Sequence, residues 1–145
     1  MGTRRKASKT RRKLISTKYS QQKIVTTFLK MLNTVKLYHW KTTSFAQHKA
    51  TDELYSNMNK NIDSFIEIML GKTGDRIKLP ERSSIIISDY SNVSGFTREI
   101  NFYKQFLINM SNDKNLSETY NTDLMTVRDE LLGNLNQFSY LLTFK

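Results

Sequence analysis

Apolar residues recur at steps of three and four along most of the chain. Over Gln21–Lys41, the residues Ile24, Phe28, Met31, Leu32, Val35 and Tyr38 form the stripe of an amphipathic helix, and His39 follows on its inward side. A second helix is predicted over residues 44–70, with Ser44 as its N-cap and Gly71 as its stop. Its apolar face is Tyr55, Met58, Ile62, Phe65, Ile66 and Met69. The pattern breaks over residues 71–93, which hold Gly71, Gly74, the only proline at position 80 and a knot of Ile85, Ile86 and Ile87. It resumes over residues 94–112, with Phe96, Ile100, Tyr103, Leu107 and Met110, and over residues 118–144, with Leu124, Val127, Leu131, Leu135, Phe138 and Leu142.

Short links between the first two and the last two helices, with a long one between the pairs, predict an all-α four-helix bundle with one long crossover. That is the connectivity of ferritin-like folds. Composition agrees: 145 residues with 38% hydrophobic content, eight Phe and seven Tyr suffice for one core. Five Gly and one Pro supply too few turns for a many-stranded sheet. The absence of Cys excludes disulfides, zinc thiolate sites and thiol nucleophiles.

Charge adds a second feature. Residues 1–23 carry nine basic side chains and no acid, whereas the remaining 122 hold 14 basic and 13 acidic ones. The expectation is a disordered cationic tail over residues 1–18 and a nearly neutral bundle over residues 19–145. Arg4, Arg5, Lys6, Lys9, Arg11, Arg12, Lys13 and Lys18 suit DNA or another polyanion, bound through phosphates without reading sequence. The stretch from Arg4 to Ser8 also has the pattern of a basophilic kinase site, where a phosphate would weaken such binding.

Several motifs are excluded by single residues. Gly71-Lys72-Thr73 is not a P-loop, because Ile66 stands where that motif needs its first glycine. Lys6 occupies the position at which a myristoylation signal needs Ser or Thr. With no membrane-length apolar run and no apolar leader, the chain is expected to be soluble and not secreted, in the cytoplasm or associated with nucleic acid in a nucleoid, nucleus or virion.

The chemistry is concentrated between positions 39 and 67. His39, His48, Asp52, Asp63 and Glu67 offer five metal donors there. At 100° per residue from His48, Asp52 lies at about 40°, Asn59 at about 20°, Asp63 at about 60° and Glu67 at about 100°, so they share one polar stripe. Taken singly, each carboxylate is more often a solvated surface group than a ligand. Taken together, imidazoles and carboxylates form a set suited to iron, zinc or manganese, and the oxygen donors favour iron or manganese. Asp52 and Asp63 are eleven residues apart, roughly 16 Å along a helix, so one helix cannot close a single site.

The stretch LYHWKTTSFAQHKATDELYSNMNKNIDSFIE resembles the ferroxidase segment of Dps, the mini-ferritin family of DNA-binding proteins from starved cells. The matching features are the His39-Trp40 pair, His48 with Asp52 four residues on, and Asp63 with Glu67 further down the same helix. The final helix is similar as well, so the resemblance covers roughly residues 20–144. It implies a homo-oligomer, a dimer as minimal unit and a hollow dodecamer as the assembly. It also implies ferrous iron oxidised with peroxide or oxygen at sites shared between subunits, His39, His48 and Asp52 of one chain facing Asp63 and Glu67 of the other. The alternative is a nucleic-acid condensing, virion or scaffold protein of the same fold with little or no ferroxidase activity.

Overall fold

The computed structural model describes residues 19–144, and the basic segment 1–18 with its eight candidate nucleic-acid residues lies outside them. Helix α1 spans Gln21–Lys41, α2 Phe45–Thr73, α3 Val93–Asn109, the short α4 Lys114–Ser117 and α5 Thr122–Leu141. Two single 3₁₀ turns, Met110–Asn112 and Thr119–Asn121, flank α4. Among the described residues there is no strand.

The helix starts are set by side chains that accept from otherwise orphaned backbone N–H groups. Ser20 accepts from Lys23 N, Ser44 from Gln47 N and Asn92 from Gly95 N. The predicted stop of α2 at Gly71 is displaced by one turn: the helix runs through it and ends at Gly74, which takes the left-handed conformation at φ 72°. Only a glycine reaches that conformation without strain. Gly71 meets nothing within 4 Å and stays helical, so nothing there forces a break. The third and fourth predicted helices are both shorter than expected, because Met110–Asn112 tightens to 3₁₀ and residues 114–121 form separate short turns.

Aromatic contacts join the long helices in layers. Phe28 of α1 meets Phe65 of α2 edge-on at 5.3 Å, Tyr38 of α1 stacks on Phe96 of α3 at 3.9 Å, and Phe96 meets Phe138 of α5 at 5.8 Å. All five rings are buried. Truncating one such Phe to Ala costs roughly 3–5 kcal/mol by the usual cavity penalty. Tyr55, Ile66, Val127 and Leu142, expected on the core faces, are only half-buried; Ala50 and Leu54 stand deeper in α2.

The contacts also fix direction. Tyr38 at the end of α1 meets Phe96 at the start of α3, and Lys72 at the end of α2 pairs with Asp123 at the start of α5 at 3.1 Å. Phe28 near the start of α1 meets Phe65 near the end of α2. Helices α1 and α5 therefore run one way, and α2 and α3 the other. The connection between the parallel pair has to travel back along the bundle. An α2 of 29 residues is about 43 Å long, and the 18 residues 75–92, extended, reach up to about 60 Å.

Candidate metal centre

The site begins at a tight joint. Three residues, Thr42, Thr43 and Ser44, link α1 to α2, with Thr42 closing α1 through its N–H on Tyr38 O and Ser44 capping α2. Gln47, one turn into α2, accepts at its Oε1 from the hydroxyls of both Tyr38 at 2.9 Å and Thr42 at 2.7 Å. These bonds fix how the last turn of α1 meets the first turn of α2.

Across that joint the two histidines lie ring on ring, with centroids 3.9 Å apart and planes 20° from parallel. Each ring reaches the other's backbone. His39 Nδ1 is 3.0 Å from His48 O, and His48 Nδ1 is 3.1 Å from His39 O. A carbonyl oxygen only accepts, so both Nδ1 atoms carry the proton and both Nε2 atoms keep a free lone pair in the neutral rings. That is how a metal-ligating histidine is commonly oriented, one ring nitrogen held by a carbonyl and the other left for the metal. His39 is buried and His48 exposed.

Thr51, fully buried in α2, completes the arrangement. Its hydroxyl donates to Gln47 O at 2.7 Å and lies 3.0 Å from His39 Nδ1. Neither Thr51 nor Gln47 stands out in the sequence, since a threonine bonding back one turn in its own helix leaves no motif.

The carboxylates are placed differently. Asp52, Asp63 and Glu67 are all exposed on α2. Asp52 lies one turn beyond His48 and lines an open cleft of about 610 Å³ between the start of α2 and the chain end, with Lys49, Glu53, Leu141 and Phe144. Asp63 and Glu67 stand one turn apart further along. Among the described residues of one chain, no group of three or more His, Asp or Glu could hold a metal ion. The structure thus brings His39 and His48 together, puts Asp52 on the next turn, and leaves Asp63 and Glu67 as a separate pair. Trp40, partner of His39 in the sequence motif, is 69% exposed, with the Lys36 ammonium 5.7 Å from its ring and 4.6 Å from that of Tyr55.

A model of a family of unknown function, DUF5856, matches residues 39–142. The chain belongs to that family. The DUF5856 match begins at His39 and ends one residue beyond α5, so it takes in all five candidate ligands and leaves out the basic segment and most of α1. No curated protein and no solved structure is significantly similar to the chain.

Proposed function

We propose that this DUF5856 chain is a Dps-like mini-ferritin that binds and oxidises ferrous iron at sites shared between two subunits and binds DNA through its cationic N-terminal segment. The observation that carries the reading is the reciprocal histidine pair, in which each Nδ1 is held by the other residue's carbonyl and each Nε2 is left without that bond. The bundle direction supports it too. One long crossover between a parallel pair of helices is the ferritin-like connectivity, and no Glu-x-x-His pair is present to build a site inside a single bundle.

The donor chemistry fits iron. Two imidazoles and Asp52 from one subunit, with Asp63 and Glu67 from the other, give an oxygen-rich set that suits ferrous and ferric ions, with manganese or zinc as competitors. Ferrous iron is the substrate here. Each ion gives up one electron, two ions and two protons converting one hydrogen peroxide to two waters, and the carboxylates favour the ferric product by their charge. Exposure of the three carboxylates on α2 leaves them free for a second chain. Two copies of α2 antiparallel about a two-fold axis near Met58 would bring the half-sets together and make two equivalent sites. Repetition of that dimer as a hollow dodecamer supplies the storage space the reading requires.

A second reading rests on charge: nine basic side chains with no acid in residues 1–23 suit a nucleic-acid condensing, virion or scaffold role in which iron chemistry is minor. One pair of experiments separates the two. Replacing Asp63 and Glu67 together with Ala, both exposed, should leave helicity intact and slow ferrous oxidation by a factor of about 100 or more, as expected for losing two of the metal's three charged donors. Unchanged oxidation kinetics would remove the iron reading. Deleting residues 1–18 should abolish a salt-dependent DNA gel shift, because the remaining body is close to neutral; retardation at the same protein concentration would remove the tail from the account.

A further inference from the structure

The crossover carries a feature that neither the metal site nor the basic segment uses. Residues 84–88 read Ser-Ile-Ile-Ile-Ser, the same in both directions about Ile86. Ile86 is 78% exposed and Ile87 64%, with Ile85 half-buried. Among the described residues, no backbone–backbone hydrogen bond involves residues 84–91. The far end of the segment is anchored: Asp89 pairs with Lys41 of α1, and the Tyr90 hydroxyl donates to Glu99 of α3 at 2.7 Å. Gly95 accommodates the Tyr90 ring, since a Cβ there would stand 3.0 Å from it. An uncharged, isoleucine-rich segment outside any helix, with no backbone–backbone hydrogen bonds and held at one end, is one that another strand can pair with.

We propose that residues 84–88 form a self-pairing edge, through which two copies of this chain join by antiparallel β-pairing about a two-fold axis at Ile86. The palindrome is what selects a second copy over a foreign strand. An antiparallel pair related by a two-fold normal to the sheet places Ile86 opposite its own copy, Ile85 opposite Ile87 and Ser84 opposite Ser88. One face then carries the two Ile86 side chains flanked by facing serines, and the other a cluster of four isoleucines. Apolar meets apolar and hydroxyl meets hydroxyl at all five positions, as a good cross-strand register requires. Pairing also covers the two most exposed isoleucines among the described residues. The inference stands apart from the iron reading, because a chain that oxidises nothing can pair in this way.

The absence of cysteine makes the test clean. Directly opposed residues of an antiparallel pair have Cα atoms about 4.5–5.5 Å apart, within the span of about 4.4–6.8 Å that a disulfide bridges. Ile86→Cys in the full chain, oxidised at low micromolar concentration, should run as a covalent dimer on a non-reducing gel. Ser84→Cys should stay monomeric, because its own copy is four residues away along the pair, roughly 13 Å. The double variant Ser84→Cys with Ser88→Cys should cross-link again. In sedimentation at neutral pH, Ile86→Lys should weaken this association at least tenfold by setting like charges opposite each other, and mixing it with Ile86→Glu should restore it. Equal cross-linking of Ser84→Cys and Ile86→Cys, no cross-linking of Ile86→Cys, or association unaffected by Ile86→Lys would each overturn the proposal.

Discussion

The two connections that leave α2 differ in kind. The three-residue link to α1 is held at both ends: Thr42 and Ser44 are hydrogen-bonded to Gln47, and the histidine rings on either side hold each other's carbonyls. The 18-residue crossover to α3 is anchored chiefly at its far end, through Asp89 and Tyr90, with exposed isoleucines and no backbone–backbone hydrogen bond before that among the described residues. The first kind of connection suits groups that must hold a metal, where an error of about 1 Å in position can cost about 100-fold in rate. The second suits a surface that is completed by something else.

Insertions sharpen the contrast most. Two glycines placed between Thr42 and Ser44 should separate the histidine rings and lower ferrous oxidation by about 100-fold or more, in a protein that stays helical by circular dichroism. The same two residues placed between Glu81 and Arg82 should change stability by less than about 0.5 kcal/mol in urea unfolding, because lengthening an already long loop costs little. Similar losses from both insertions would erase the distinction drawn between the two connections.

Thr51→Val probes the joint more gently. It removes the hydroxyl beside His39 Nδ1 while keeping the side chain's shape, and metal affinity should fall about 10- to 100-fold with little change in thermal midpoint. Tyr103→Phe probes the bundle between the connections. The buried Tyr103 hydroxyl donates to Thr34 at 2.9 Å, and its loss should cost about 1–3 kcal/mol in equilibrium unfolding without affecting iron oxidation.

The crossover's anchor also has a pH signature. Burial raises the Glu99 carboxyl's pKa, but the Tyr90 and Tyr103 hydroxyls and the Lys30 ammonium, 3.5 Å away, together outweigh it and hold the group below its ordinary value. A depressed folded value means the unfolded chain binds the proton more readily. This contribution is therefore complete above the unfolded value of about 4.3 and is lost as pH falls through the folded one. The urea midpoint of Glu99→Gln should fall less steeply than that of the parent chain as pH is lowered below about 4.3. Ser44→Ala should remove about 1 kcal/mol in urea unfolding by uncapping α2.

Much of the fold was legible because one physical rule produced it. The three- and four-residue spacing of Ile24, Phe28, Met31, Leu32 and Val35 marks a buried helical face, and all five are buried. The spacing could not say which of two glycines ends α2, since Gly71 and Gly74 differ only in backbone conformation. Nor could it show Arg128 buried in α5, where the guanidinium donates to Leu107 O at 2.9 Å, because a long cationic side chain can lie in or out at the same helical position. At the site, the histidines and carboxylates were legible as donor types. The tautomers were not, because they depend on two carbonyls brought together by the turn between α1 and α2.

The central claim is that the histidine pair and the Asp63–Glu67 pair act on one ion only across two chains. The direct measurement mixes His48→Ala and Glu67→Ala proteins, each inactive alone, after dissociation and reassembly. In a mixed dimer one site carries both substitutions and the other retains all five donors. With random mixing, ferrous oxidation should recover to about a quarter of the parent rate, since half the dimers are mixed and each has one intact site of two. No recovery in a sample shown to contain mixed dimers would contradict the shared site.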